Sequence, residues 1–167
     1  MAATPTDAKP AIDRRYACFR LRIGRSLIHR WGVYAGQSIP AGRKVIEYTG
    51  EKIDRDEFKR RQETLYLFEL DDEWTIDGSV RGSGAQFINH SCEPNLVTRV
   101  MKGHILYFSL RRIRKDEELT VDYNYDDEDE LMVCGCGSKA CRGTINVNGR
   151  GISATSLSSE NTERSNA

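Results

Sequence analysis

Three cysteines close together near the end of the chain could bind a metal ion. They are Cys134, Cys136 and Cys141, in the segment CGCGSKAC. The glycines of this segment allow tight turns that can direct several sulfur atoms toward one centre. Zinc prefers four ligands in a tetrahedron and readily takes cysteine thiolates. The spacing therefore predicts a zinc site that needs one more ligand.

The spacing alone does not give the fourth ligand. The chain has five cysteines, so Cys18 and Cys92 are the other thiols, and any of three histidines could also serve. In a reducing compartment, cysteines are more often free thiols or metal ligands than disulfides. Three free cysteines in a turn are the alternative interpretation, which this dense spacing disfavours.

Two further polar segments could contribute chemistry. The sequence NHSCEPN at 89–95 follows the apolar pair Phe87 and Ile88, which is typical of a loop entering the interior. Amide and imidazole groups there must find hydrogen-bond partners. The sequence ELTVDY at 118–123 places a phenol after an apolar run. Taken alone, such an Asn-His pair is more often structural, and such a tyrosine more often belongs to the core.

Together, these segments resemble the SET-domain protein lysine methyltransferases that carry a post-SET zinc motif. Four segments match in order: WGV at 31–33, EYTGE at 47–51, NHSCEPN at 89–95 and EELTVDY at 117–123. The cysteine segment, followed by RGTI at 142–145, is similar to the post-SET element. The resemblance covers about residues 20–146.

The resemblance implies S-adenosylmethionine as the cofactor. The loop with Arg30 and Trp31 matches the one that holds the methionine end of this cofactor. Asn89 and His90 match the pair that binds it through hydrogen bonds. Tyr123 matches the tyrosine beside the transferred methyl group, so it counts as both a catalytic and a cofactor-binding residue.

The resemblance also implies a second catalytic tyrosine and a fourth zinc ligand. Tyr66, in the sequence YLFEL, is similar to a tyrosine that lines the lysine channel. Cys92 matches the cysteine that completes one zinc site with the three thiols at 134, 136 and 141. Cys18 is then left without a metal.

Two residues depart from the family pattern. Arg30 stands where the family usually has the first glycine of a G-x-G sequence, which leaves the conformation of this loop open. Val121 stands where the family often has Phe or Tyr, two residues before the catalytic tyrosine. The sequence therefore does not predict how many methyl groups are added.

The implied reaction is displacement at the sulfonium methyl group by a neutral lysine amine. Free lysine has a pKa near about 10.4 and is mostly protonated at neutral pH. Burial in an apolar aromatic channel favours the neutral amine, so no strong general base is required. The main task of the protein is to align nitrogen, methyl carbon and sulfur.

Elements that position these residues are mostly short strands. Apolar and alternating patterns predict strands or strand pieces at 16–23, 33–35, 45–49, 66–70, 74–76, 105–110 and 119–125. Asp54 and Glu57 predict a capping box that begins a surface helix over 54–64. The absence of alternating βαβ units disfavours a Rossmann fold. The resemblance narrows this mainly β pattern to the β-clip-like SET fold, with small sheets, few short helices and a pseudoknotted C-terminal segment.

The length of 167 residues predicts one domain with short tails. Composition predicts a disordered leader at 1–13, rich in proline, alanine and threonine, and a disordered tail at 148–167, rich in serine and asparagine. The resemblance divides the folded part into a SET domain at 14–130 and a post-SET zinc clasp at 131–147.

Charge and hydropathy restrict the partners. The chain has 25 Lys plus Arg and 25 Asp plus Glu, which disfavours DNA or membrane binding through bulk charge. A secretory signal and a bilayer-length apolar run are not found, so we expect an intracellular protein, cytoplasmic or nuclear. The resemblance implies a protein substrate with a lysine-bearing basic tail, such as a histone, and no sequence-specific nucleic-acid binding. The oligomeric state is not predicted.

The alternative function is a non-catalytic SET-like module that binds peptides or proteins. Loss of Asn89, His90 or Tyr123 would favour this alternative. All three residues are present, so the sequence favours the methyltransferase.

Overall fold

The computed structural model describes residues 10–63, 65–125 and 131–147. The predicted tail at 148–167 and residues 1–9 of the predicted leader lie outside these ranges. Within that leader, Ile12 packs against the core, and the Asp13 N–H donates to the Ser83 carbonyl at 2.9 Å. Across the described ranges, no helix is long and apolar enough to cross a membrane.

Two antiparallel-rich sheets make up most of the described chain. The strands are β1 Leu21–Arg25, β2 Trp31–Ala35, β3 Lys44–Tyr48, β4 Glu51–Asp54, β5 Leu67–Glu69, β6 Trp74–Asp77, β7 Asn89–His90, β8 Leu96–Met101, β9 His104–Ser109 and β10 Glu118–Val121. The larger sheet has the order β1-β2-β10-β8-β9-β3, with β7 also paired to β10, and the smaller has the order β4-β6-β5. One α-helix, α1 Arg55–Arg60, and one 3-10 turn, Ala85–Phe87, complete the described elements. The prediction of a mainly β fold is therefore confirmed.

Strand β10 connects the core to the polar segments. Its residues Leu119 and Val121 are buried in the same core as Ile46, Ile88 and Leu96. Burying each such side chain contributes roughly 1.5–3 kcal/mol, so the position of β10 is strongly determined. Because β7 pairs with β10 in parallel, the polar pair at 89–90 lies beside the end of β10.

The predicted strand at 119–125 is wrong beyond Val121. Asp122 Oδ1 accepts the Asn124 N–H at 3.2 Å, and Asn124 has a φ of 52°. This local side-chain hydrogen bond offers the backbone an alternative to the sheet. Tyr123 consequently lies on a turn after β10, and Tyr125 forms an isolated bridge to Asn146.

Asp54 begins α1 as predicted, but the helix ends earlier. Asp54 Oδ1 accepts the Glu57 N–H at 2.8 Å, which confirms the N-cap. The Glu57 carboxylate pairs with Arg61 Nε at 2.6 Å instead of completing the capping box. Arg61 is the C-cap and also binds Glu51 and Asp77 at 2.7 and 2.8 Å. This arginine therefore joins α1 to both β4 and β6.

Asp77 should make the protein sensitive to acid. Burial alone would raise the pKa of this carboxyl, but hydrogen bonds from Ser79 and Arg61 lower it below its usual value near 3.9. A lowered pKa stabilises the fold above that usual value, and the stabilisation is lost as pH falls further through the folded-state pKa. We expect Asp77→Asn to cost on the order of 2 kcal/mol at pH 7 and to flatten the fall in Tm below about pH 4. Thermal unfolding from pH 7 to 3 measures both effects, with the exposed Asp56→Asn as control; equal slopes in the two variants would contradict the assignment.

Candidate functional site

The loop before β2 is held against β7 by one amide. Asn89 is buried, and its Nδ2 donates to the Trp31 carbonyl at 2.9 Å and to Glu118 Oε1 at 2.9 Å. The Trp31 ring lies under the Arg25 guanidinium, whose carbon is 4.4 Å from the ring centroid. Two predicted cofactor-binding residues, Trp31 and Asn89, are thus in direct contact. Arg30, between His29 and Trp31, belongs to the same loop.

Glu118 is a central residue of this region to which sequence analysis assigned no role. Its carboxylate accepts from Ser26 Oγ at 2.8 Å and from the Tyr34 hydroxyl at 3.2 Å, besides the Asn89 amide. A Cβ on Gly32 would lie 2.3 Å from Glu118 Oε1, so a larger residue there would push the carboxylate out of these hydrogen bonds. The sequence could have indicated a role for Glu118, because Glu118 and Gly32 both lie in segments that match the family.

Arg30 has the backbone conformation that glycine adopts most easily. Its φ is 38°, in the left-handed region where L residues are strained. The side chain is exposed, whereas the Arg30 carbonyl accepts the Ser26 N–H at 3.3 Å. The arginine thus keeps a positive-φ turn at the position where the family usually has glycine.

His90 links Tyr123 to Cys92. The ring is buried, its Nδ1 accepts the Tyr123 N–H at 3.2 Å, and its Nε2 lies 3.4 Å from Cys92 Sγ. Burial is the main cause of a lowered pKa of His90. The nearby Asp122 carboxylate offsets part of this decrease, and the Arg142 guanidinium lowers the pKa further. A neutral ring that accepts at Nδ1 carries its proton on Nε2, directed at the sulfur. The imidazole is thus engaged within the protein, and cofactor binding by His90 stays a prediction.

The Tyr123 hydroxyl lies against the segment that precedes Asn89. It donates to the Ile88 carbonyl at 3.0 Å, and its ring lies 5.4 Å from that of His90 and 5.7 Å from that of Tyr125. Burial raises the pKa of Tyr123, and the neighbouring phenols Tyr125 and Tyr66 add to this. The phenol therefore stays protonated and can act as a hydrogen-bond donor at neutral pH.

Tyr66 lies against the segment that also receives the Tyr123 hydroxyl. Its ring packs edge-on against Phe87, with centroids 5.5 Å apart, and its carbonyl accepts the Tyr48 hydroxyl at 2.6 Å. Phe87 directly precedes Ile88, whose carbonyl accepts the Tyr123 hydroxyl. The two tyrosines predicted to be catalytic thus contact adjacent residues of one segment.

Four cysteines form one cluster. The sulfur atoms of Cys92, Cys134, Cys136 and Cys141 all lie within 4.8 Å of one another. The Cys92 and Cys134 sulfurs are 3.7 Å apart, close to the edge of roughly 3.8 Å expected for a tetrahedron with Zn–S bonds of about 2.3 Å. Burial raises the pKa of Cys92 and of Cys134, whereas hydrogen bonds lower the pKa of Cys136 despite its burial, and a bound cation would favour the thiolate form of these thiols. The donor set and its geometry can therefore hold a metal ion.

Cys18 lies apart from this cluster. Its side chain is exposed, and it is not among the grouped metal-ligand atoms of the described residues. Its backbone N–H donates to the Val45 carbonyl at 2.9 Å, at the other side of the larger sheet. The grouping agrees with the set of four cysteines that the resemblance implied.

Comparison with known families identifies the chain. The profile described as "SET domain" matches residues 30–124, more than half of the 167 residues. The chain belongs to the SET domain family. The match begins at Arg30 and ends one residue after Tyr123, so it spans the loop, the Asn-His pair and the tyrosine described above.

Several curated relatives are histone methyltransferases by name. The chain is 46% identical over 133 residues to histone-lysine N-methyltransferase trithorax of Drosophila virilis, which covers 73% of the chain and 4% of that relative. It is 40% identical over 141 residues to the H3 lysine-4 specific histone-lysine N-methyltransferase of Aspergillus oryzae, covering 75% and 12%. It is 41% identical over 140 residues to histone-lysine N-methyltransferase ATX2 of Arabidopsis thaliana, covering 76% and 13%. The chain thus spans only a small part of the length of these relatives.

Replacing Arg30 tests whether this SET loop acts through its backbone. We expect Arg30→Gly to keep cofactor affinity within about threefold and to stabilise the protein by about 1 kcal/mol, because it relieves the positive φ. Arg30→Ala should keep the affinity without the gain in stability. Calorimetric binding and thermal unfolding measure the two quantities. A tenfold loss of affinity in both variants would instead assign a direct role to the guanidinium.

Proposed function

We propose that the chain is the catalytic part of a protein-lysine N-methyltransferase that takes its methyl group from S-adenosylmethionine. The observation that carries this proposal is the position of Tyr123, whose hydroxyl and ring lie directly on Ile88 and His90. The residues that the family uses for the cofactor and for transfer are thus neighbours across β7 and β10. A binding module without activity would not require this arrangement.

The cofactor would be held at the loop that Asn89 fixes. Arg30, Trp31, Asn89, His90 and Tyr123 are the residues proposed to bind it, with Arg30 contributing its backbone. When bound, the cofactor supplies a sulfonium-activated methyl group. Glu118 would orient this region, because its carboxylate holds Ser26 and Asn89 in place.

Two tyrosines would prepare the lysine. Tyr66 and Tyr123 would line a channel in which the amine loses its solvation, which favours the neutral nucleophile. The lysine proton passes to water as the side chain enters. The Tyr123 hydroxyl would then hold the amine in line with the methyl group, and such positioning can lower a barrier by up to roughly 7–11 kcal/mol in favourable cases.

The metal is proposed to be zinc, bound by Cys92, Cys134, Cys136 and Cys141. Four thiolates at tetrahedral spacing are typical of a structural zinc site without an open position. Such a site would fold the post-SET clasp at 131–147 onto the SET domain, because metal binding and local folding are coupled. Zinc would thus have a structural and not a chemical role.

The proposed substrate is a lysine in a histone tail. Relatives named for histone H3 lysine 4 make that residue the first to test, and other basic proteins the next. A histone substrate would place the protein in the nucleus. Membrane partners and sequence-specific nucleic-acid binding do not enter this proposal.

Methyl transfer from labelled cofactor tests the function. We expect label on recombinant histone H3 and its loss when lysine 4 of H3 is replaced by alanine. Label found only on another histone would support the proposed methyltransferase activity and would change the proposed substrate. Cofactor binding by calorimetry without transfer to any histone or basic protein would favour the non-catalytic module.

A further inference from the structure

An ion pair joins the post-SET clasp to the residue that precedes Tyr123. Arg142 Nη1 lies 2.7 Å from Asp122 Oδ2, and Nη2 lies 3.0 Å from Oδ1. Both side chains are about three-quarters buried, at 26% and 22% exposed. Two parallel hydrogen bonds between guanidinium and carboxylate fix both distance and orientation. The pair therefore sets the position of Asp122 relative to the clasp.

Arg142 is itself placed by the cysteine cluster. It follows Cys141 directly, and its backbone N–H lies 3.3 Å from Cys92 Sγ. Its Nη2 is also 3.4 Å from the Ile145 carbonyl. The guanidinium consequently reaches Asp122 only when the clasp is folded around its cysteines.

Asp122 transmits this position to Tyr123 in two ways. It is the preceding residue in the chain, and its Oδ1 closes the turn by accepting the Asn124 N–H. The same oxygen lies 3.5 Å from His90 Nδ1, the atom that accepts the Tyr123 N–H. A displaced Asp122 would therefore loosen both the turn and the contact between Tyr123 and His90.

We propose that Arg142 is a positioning residue that makes the placement of Tyr123 depend on the folded clasp. This inference rests on the proposed function, since the consequence of the placement is methyl transfer. Asp122 is the other member of the ion pair and connects Arg142 to Tyr123. The hydrogen bonds of the Arg142 guanidinium go to Asp122 and Ile145 and not to a residue proposed to be catalytic, so its effect would pass through Asp122.

Four proteins test the pair by its kinetics. Arg142→Met and Asp122→Asn should each lower kcat about tenfold, with KM for the cofactor within about threefold and the metal content unchanged. The double variant should be no worse than Arg142→Met, because both changes remove one interaction. Arg142→Lys, which keeps the charge but loses the fork, should recover part of kcat. An unchanged kcat in both single variants, or effects that multiply in the double variant, would overturn the proposal.

Amide hydrogen exchange tests the same coupling between Arg142 and Tyr123 without a measurement of activity. In the metal-loaded protein, the Tyr123 N–H should exchange with deuterium at least about fivefold faster in Arg142→Met than in the parent protein. Asp122→Asn should speed exchange of the Tyr123 N–H to the same extent. Because this change lies outside the clasp, it tests the proposal even if Arg142→Met loses its metal. Unchanged exchange in the metal-loaded variants would overturn the proposal.

Arg15→Met is the matched control. Arg15 also binds a carboxylate through two hydrogen bonds, from Nη2 at 2.6 Å and Nε at 3.0 Å to Asp13, and neither side chain is hydrogen-bonded to a proposed site residue. This variant should keep both kcat and the Tyr123 exchange rate. If the parent protein transfers no methyl group but Arg142→Met speeds exchange, the proposed function fails while the coupling stands. If the parent is active and neither kcat nor exchange responds, the coupling alone fails.

Discussion

Tyr123→Phe is expected to lower kcat for methyl transfer by about 100-fold and to leave most of the cofactor affinity. The hydroxyl would act on the amine and the polarised methyl group, so its contacts would be strongest in the transition state. Interactions of that kind raise kcat more than binding, and losing one preorganised hydrogen-bonding group typically costs about 3 kcal/mol. The hydroxyl proton is donated to the Ile88 carbonyl, so the oxygen would act here as an acceptor. Phenylalanine keeps the ring contacts with His90 and Tyr125, so the variant removes only the hydroxyl.

The cost in stability should be small. The hydroxyl donates one hydrogen bond, to the Ile88 carbonyl, and such a bond contributes about 1 kcal/mol net. Steady-state kinetics and calorimetric cofactor binding separate the two effects, with Tyr16→Phe as a control outside the site. Normal transfer by Tyr123→Phe would mean that the tyrosine only packs, and the catalytic role would then move to Tyr66 or Tyr125.

The sequence predicted which residues form the site, but it did not predict how they are held. The segments with Asn89 and Tyr123 carried a family pattern, so their proximity was expected. Glu118, in contrast, acts through partners 29 or more residues away, such as Asn89 and Ser26. Local patterns contain no information on such pairings, because the contacts form only when β2, β7 and β10 come together.

The predictions of where strands begin and end were wrong for a different reason. The sequence after Leu119 continues with residues that suit a strand, but Asp122 binds the Asn124 N–H and stops the ladder at Val121. Strand β8 was not predicted, because its exposure does not alternate: it begins buried at Leu96 and ends exposed at Met101. A strand without a period of two gives no clear pattern in sequence.

The Arg30 position illustrates a departure that only the backbone explains. The expected glycine is absent, yet Arg30 takes a φ of 38° and the turn is kept. Surrounding contacts maintain such strain, here the Asn89 amide on the Trp31 carbonyl and the Ser26 N–H on the Arg30 carbonyl. A substitution that looks disruptive in sequence is thus accommodated in the fold.

Cys92→Ser is expected to release the metal and most of the activity. The other three proposed ligands lie at 134–141, whereas Cys92 follows β7, so it alone would tie the metal to the strands of the larger sheet. Structural zinc binds with about 10–16 kcal/mol in total, and losing one of four thiolates removes on the order of 3 kcal/mol, about 100-fold in affinity. The clasp should then detach, Arg142 should lose Asp122, and kcat should fall at least about tenfold. Chelation of the parent protein should have the same effects.

The matched control is Cys18→Ser. Cys18 is exposed and contributes a backbone hydrogen bond that serine keeps, so metal content should stay at one ion per chain and kcat should not change. Elemental analysis after dialysis against a weak chelator measures the metal, and limited proteolysis measures detachment of residues 131–147. If Cys18→Ser lost the metal while Cys92→Ser kept it, the ligand set would be wrong. If Cys92→Ser lost the metal but kept full activity, the link through Arg142 and Asp122 could not be required for transfer. The metal would then not control the position of Tyr123.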